Sequence, residues 1–152
     1  MNIRKAKLTD VKPMHGILSA YAARGLLLGR SLSDLYAQLR DFFVAEDDAS
    51  REIIGTCSLR ICWEDIAEIR SLAVREDFCK REMGRAMVEV CITEARSIGL
   101  KKVFVLTYVP AFFEKLGFVP VDKSVLPHKV WGDCIKCVKF PDCDEEALLL
   151  EL

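Results

Sequence analysis

Hydrophobic and polar positions along the chain change period several times, and each change marks an element. Asn2 to Lys7 suits a short strand, and Thr9-Asp10 stands where a helix N-cap would take up the free amides of a segment opening Val11-Lys12-Pro13. Met14, Ile17, Leu18 and Tyr21 then recur at helical spacing. After the loop from Gly25 to Ser31, a second amphipathic helix is expected from Ser33-Asp34, with Leu32, Leu35, Tyr36 and Leu39 on one side. Phe42 to Ala45, Glu52 to Ile61 and Ala67 to Val74 are apolar or β-branched runs. The polar stretch Glu46 to Arg51 and a turn near Trp63-Glu64-Asp65 separate them, which predicts a three-stranded antiparallel meander.

Residues 82–98 return to the helical period through Met83, Ala86, Met87, Val90, Cys91 and Ala95, with Gly99 as the C-cap. Lys102 to Thr107 reads as a strand buried on both faces, close enough behind the helix to make a right-handed β-α-β unit with Ala67 to Val74. Pro110 to Leu116 is a short helix stopped by Gly117, Phe118 to Val121 opens another strand, and Ala147 to Leu152 is a final apolar run. No internal repeat or linker interrupts this order, so one domain over residues 1–152 is expected.

Composition narrows the function classes. A chain of 152 residues, 51% hydrophobic, is long enough to build a core without staples. Its 22 Lys+Arg nearly cancel 23 Asp+Glu, so no basic field exists to attract nucleic acid or anionic lipid. The N-terminus has no apolar run behind its positive charges, and no stretch approaches the roughly 18 apolar residues needed to span a bilayer. A soluble, cytoplasmic protein is expected. Seven cysteines, an odd count, suit reduced thiols or a metal site better than a secreted disulfide framework.

The element order β-α-α-β-β-β-α-β-α-β, with Ala67-Glu68-Ile69-Arg70-Ser71-Leu72-Ala73-Val74 and Phe112-Phe113-Glu114-Lys115-Leu116-Gly117-Phe118, resembles the GNAT superfamily of acetyltransferases over nearly the whole chain. The second word with Val119-Pro120-Val121-Asp122 and Leu126-Pro127 is similar to the amino-acid N-acetyltransferases, or N-acetylglutamate synthases. Val105-Leu106-Thr107 and the loop Gly25 to Ser31 resemble that branch as well. The chain would be a short form without the upstream amino-acid-kinase domain of many members. The resemblance implies an α/β GNAT fold: a central mixed, mostly antiparallel twisted sheet flanked by helices on both faces. It also implies acetyl-CoA as co-substrate and acetylation of an amino acid, L-glutamate foremost, as the first step of arginine biosynthesis. Another small amine, a protein N-terminus, or a degenerate CoA-binding or sensor role are the alternatives, and a homodimer is left open.

Acetyl transfer from a thioester to an amine needs a held co-substrate, a neutral amine and stabilisation of a tetrahedral oxyanion. By the resemblance, the backbone of Leu72, Ala73 and Val74 pairs with the pantetheine arm, and the diphosphate turn aligns with Cys79-Lys80-Arg81-Glu82-Met83-Gly84. Of the glycines usual there only Gly84 is present, and Glu82 brings a negative charge that Lys80, Arg81 and Arg85 would offset. Glu68 is the candidate base, with pairing to Arg60 or Arg70 as its structural alternative. Phe113 stands where many relatives have an acidic tyrosine, so Tyr108 or water would protonate the thiolate, and Phe112 and Phe113 would pack in the core and against the co-substrate. Arg30, and Arg70 on the face of Glu68 by period two, are candidates for the substrate carboxylates, with Lys129 or Lys136 behind them. His128, Cys134, Cys137 and Cys143 have spacing open to three readings: structural zinc, a redox-labile pair or ordinary packing.

Overall fold

The computed structural model of the protein describes residues 1–78, 80–127 and 145–152, with Lys80 placed only as a member of its helix. Cys79, His128, Lys129, Cys134, Lys136, Cys137 and Cys143 lie outside the described residues. The elements are β1 (Asn2–Lys5), α1 (Val11–Ala23), α2 (Leu32–Ala37), β2 (Phe42–Glu46), β3 (Ile53–Ile61), β4 (Ile66–Val74), α3 (Lys80–Ser97), β5 (Lys102–Thr107), α4 (Pro110–Glu114), β6 (Val119–Val121) and β7 (Glu146–Glu151). Their strands follow the hydrogen-bonded order β1-β2-β3-β4-β5-β7-β6, a mixed and mostly antiparallel sheet. The chain divides into two compact units, Met1–Leu59 with Ile69–Thr93, and Arg60–Glu68 with Glu94–Leu152.

In the first unit, β1 pairs antiparallel with β2, and β2 with β3. Val11, Met14, Ile17 and Leu18 of α1 are buried against Leu35, Phe42, Val44, Ile53 and Ala73, as the helical spacing predicts. The second helix departs from its expectation. It is capped by the Ser31 hydroxyl, which accepts from the Asp34 amide at 3.0 Å, and of its apolar side chains Leu35 is buried while Leu32 and Tyr36 stand 37% and 44% exposed. A helix of six residues cannot turn a broad face to the core.

The N-cap expected at Thr9-Asp10 is also different. Asp10 makes no side-chain cap to α1; its carboxylate accepts from the Lys7 amide at 2.7 Å and from Arg4 at 2.7 and 3.1 Å. Arg4 reaches on to Glu46 at 3.0 Å, tying β1 to β2 and to the start of α1. Burial pushes the Asp10 pKa up, but the bonds from Arg4 and Lys7 outweigh it and the net shift is downward. On the side of α3, Met87 and Cys91 meet β3: a Cβ on Gly55 would come within 3.0 Å of Met87 Sδ, and Cys91 Sγ lies 3.5 Å from Cys57 Sγ, both cysteines being fully buried. Gly55 thus keeps α3 close to the sheet.

In the second unit, the turn at Trp63-Glu64-Asp65 closes a hairpin through bonds from the Cys62 and Trp63 amides to Ile66 O, and Asp65 O accepts from the Lys101 and Lys102 amides. β4 pairs with β5 in parallel over Ile66↔Lys102, Ala67↔Val103 and Glu68↔Phe104. The final apolar run becomes β7, which inserts antiparallel between β5 and β6. Phe113 is buried edge-on against Phe118 at 5.4 Å and Phe112 at 5.0 Å, and Gly117, at φ 98°, turns the chain from α4 into β6.

Because the carboxylate of Asp10 is held below its unfolded value, its contribution to stability is present above about pH 4 and lost as pH falls through its folded value. Urea unfolding from pH 7 to pH 2 should show wild type losing more stability on acidification than Asp10→Asn.

Candidate active site

β4 departs from regular extended backbone at Ser71, whose φ is 54°. In an unbroken strand successive carbonyls point to opposite sides. Here both carbonyls flanking the kink are taken by side chains of β3: Ser58 Oγ donates to Arg70 O at 3.2 Å and Thr56 Oγ1 to Ser71 O at 2.7 Å. Ser71 and Thr56 are buried, so these hydroxyls satisfy carbonyls beside the kink that water does not reach. Past the kink, Arg75 N donates to Ile54 O at 2.8 Å, and Ala73 O lies on the same side, 3.5 Å from the Cβ position of Gly55. Residues 73 and 75 therefore face β3, and Leu72 and Val74 turn their backbone groups to the opposite edge.

Residues 75–77, past the end of β4, are tied down by charge. Arg75 bonds Asp77 at 2.6 Å and Glu52 at 3.0 Å, and Arg24 pairs with Glu76. The acids that precede the helix are thereby matched by cations. In the first turn of α3, Arg81, Glu82 and Arg85 are exposed, whereas Met83 and Gly84 are buried. Arg85 Nε bonds Glu89 at 3.0 Å in an i,i+4 pair, a weak exposed contact that an incoming anion can displace. Met83 packs in the core.

Of the two arginines expected to meet a carboxylate, Arg30 is half-buried on the loop before α2, and Arg70 is half-buried on β4 with Nη2 donating to Gln38 Oε1 at 3.3 Å. Gln38 closes α2, so it joins the end of that helix to the strand. In the second unit, Glu68 is 9% exposed beside Phe104 in the β4–β5 register, and Tyr108 is half-buried where β5 ends. Thr107 Oγ1 accepts from the Val109 amide at 2.9 Å and sets the turn that carries Tyr108 into α4. Phe113 belongs to the core of this unit and Phe112 is half-buried against it.

Thr56, Ser58, Gln38 and Tyr21 do not stand out in the pattern of hydrophobic and polar positions. Tyr21 reads as one more apolar position of α1, yet its hydroxyl donates to Val74 O at 2.6 Å. The available signal was chemical: a tyrosine on a core-facing stripe needs a partner for its O–H. Among the described residues no group of three His, Cys, Asp or Glu is placed to hold a metal, and no helix is long and apolar enough to cross a membrane.

Thr56→Val should cost about 1–3 kcal/mol in urea unfolding, because it leaves a buried carbonyl at the kink without its donor, and Thr56→Ser should recover much of that loss.

Comparison with known proteins gives this geometry its context. Residues 38–120 match the family model described as the acetyltransferase (GNAT) domain. The chain is 38% identical over 150 residues to an uncharacterized N-acetyltransferase of Chlorobaculum tepidum, covering 99% of this chain and 96% of that one. It is 31% identical over 132 residues to an amino-acid acetyltransferase of Mycobacterium tuberculosis, covering 86% and 75%. Its fold is similar to a Mycobacterium tuberculosis protein solved in complex with CoA and a second ligand, with TM-score 0.84, 28% identity and coverage of 100% and 99%. It is also similar to the N-acetylglutamate synthase of Neisseria gonorrhoeae solved with coenzyme A and N-acetyl-glutamate, with TM-score 0.89 and 25% identity, covering 99% of this chain and 35% of that one. With the kinked fourth strand and the helix behind it, these matches establish that the chain belongs to the GNAT family as an acetyl-CoA-dependent N-acetyltransferase.

Proposed function

We propose that the protein transfers the acetyl group of acetyl-CoA to the α-amino group of an amino acid, L-glutamate foremost, by direct attack in a ternary complex. The observation that carries this reading is the agreement of nearly the whole chain with the N-acetylglutamate synthase solved with coenzyme A and N-acetyl-glutamate. The amino-acid acetyltransferase of Mycobacterium tuberculosis supports it from sequence. A place at the start of arginine biosynthesis follows if glutamate is the acceptor.

In this reading the outward backbone of Leu72 and Val74 pairs with the pantetheine amides, as an edge strand pairs with an added one. The amides at the start of α3, with Lys80, Arg81 and Arg85, meet the diphosphate, Gly84 allowing close approach. Phe112 packs against the co-substrate. Glu68 takes the ammonium proton through water, which makes the amine a nucleophile. The amine lone pair attacks the thioester carbonyl, the oxyanion collapses and the C–S bond breaks; Tyr108 or water protonates the departing thiolate, and the proton that the acetylated nitrogen sheds through solvent restores the donor. Arg30 and Arg70 bind the carboxylates of the acceptor; guanidinium groups suit this role because they pair with carboxylates in bidentate fashion.

Thiol release measured with acetyl-CoA and a panel of acceptors should give the highest kcat/KM with L-glutamate, ahead of glutamine, polyamines and peptide N-termini. Absence of turnover with every α-amino acid, beside rapid acetylation of another amine, would overturn the substrate assignment. Glu68→Gln should lower kcat by roughly 10²-fold or more at neutral pH while leaving the KM for acetyl-CoA unchanged. That deficit should shrink at high pH, where the amine of glutamate is already neutral.

A further inference from the structure

The peptide joining Val74 to Arg75 sends its two polar groups to different elements. Its N–H goes to Ile54 O on β3 at 2.8 Å. In a trans peptide the carbonyl points the opposite way, so Val74 O faces the outer edge of β4. There it accepts from Tyr21 Oη at 2.6 Å, a short bond for a neutral pair. Tyr21 is itself well fixed: its ring packs against the core of α1 and β4, and its own carbonyl accepts from the amides of Arg24 and Leu26, each at 3.1 Å. Leu72 and Val74 share the outer edge because residues two apart in a strand turn the same way. Of the N–H and C=O groups they present there, the last carbonyl is held by Tyr21.

We propose that Tyr21 is a positioning residue for acetyl-CoA. Its hydroxyl occupies the Val74 carbonyl and fixes the end of the outer edge of β4. The N–H and C=O of Leu72 and the N–H of Val74 are thereby the groups offered to the two pantetheine amides. Without the hydroxyl, the Val74–Arg75 peptide loses its tether on one side and the Val74 N–H, part of the same residue, loses its aim. This rests on the reading that the outer edge of β4 receives the pantetheine arm.

Tyr21→Phe keeps the ring and removes only the donor. Its dissociation constant and KM for acetyl-CoA should rise roughly threefold to tenfold, the range expected for one hydrogen bond. The KM for the amine acceptor and the inhibition constant of 3′,5′-ADP, which lacks the pantetheine arm, should stay at wild-type values. A purely structural role would behave differently, and Leu18→Val, a loss in the same core away from the hydroxyl, should lower the Tm without moving the KM for acetyl-CoA. Equal acetyl-CoA affinity in Tyr21→Phe and wild type overturns the proposal, as does equal weakening of acetyl-CoA and 3′,5′-ADP. Val74→Pro, which deletes the outward N–H, separates the two readings. If it leaves acetyl-CoA affinity intact, the edge does not hold pantetheine and both readings fall; if it weakens affinity while Tyr21→Phe does not, Tyr21 alone is excluded.

Discussion

At Ser71 the fourth strand holds a backbone angle that a side chain other than glycine rarely adopts, and two hydroxyls from the neighbouring strand keep it there. Thr56 and Ser58 take the carbonyls of Ser71 and Arg70, which a regular strand would turn to opposite sides. The extra step reverses the parity of everything that follows. Ala73 and Arg75 come to face β3, and Leu72 and Val74 turn outward. An outward-facing strand edge is ordinarily a hazard for aggregation, but on the proposed reading it is the partner for the amides of a pantetheine arm. On the reading proposed above, the kink links local strain on one strand to the binding of a co-substrate.

The surroundings of that strand are arranged to keep its end in place. Arg75 is bonded to Asp77 and Glu52, Arg24 to Glu76, and Tyr21 to the last carbonyl. Exposed pairs of this kind contribute little to global stability. Their effect is local, holding residues 74–77 at the end of β4. Behind the strand, Gly55 admits Met87 close to β3.

Much of the fold was legible because it depends on local periodicity. The buried positions Met14, Ile17 and Leu18 of α1, the hairpin at Trp63 to Asp65 and the glycine ends at Gly99 and Gly117 all follow from short-range rules. What was not legible depends on partners distant in sequence. The kink at Ser71 is held by residues of another strand, and β7 enters between β5 and β6 from the far end of the chain. The sequence suggests a cap at Thr9-Asp10, but Asp10 serves Arg4 instead, since burial rewards the strong ion pair over the weaker cap. At the site, the resemblance to the GNAT superfamily pointed to acetyl transfer; Glu68 is buried and Arg70 is tied to Gln38. Tyr21 was missed because a tyrosine and a leucine look alike in a hydrophobic stripe.

Site-resolved amide exchange on β4, measured by NMR with and without acetyl-CoA, tests the role of the kinked strand most directly. The account predicts that the amides of Leu72 and Val74 gain protection on binding, while Ala73, already turned toward β3, changes little. Protection unchanged at Leu72 and Val74 under saturating acetyl-CoA would contradict it.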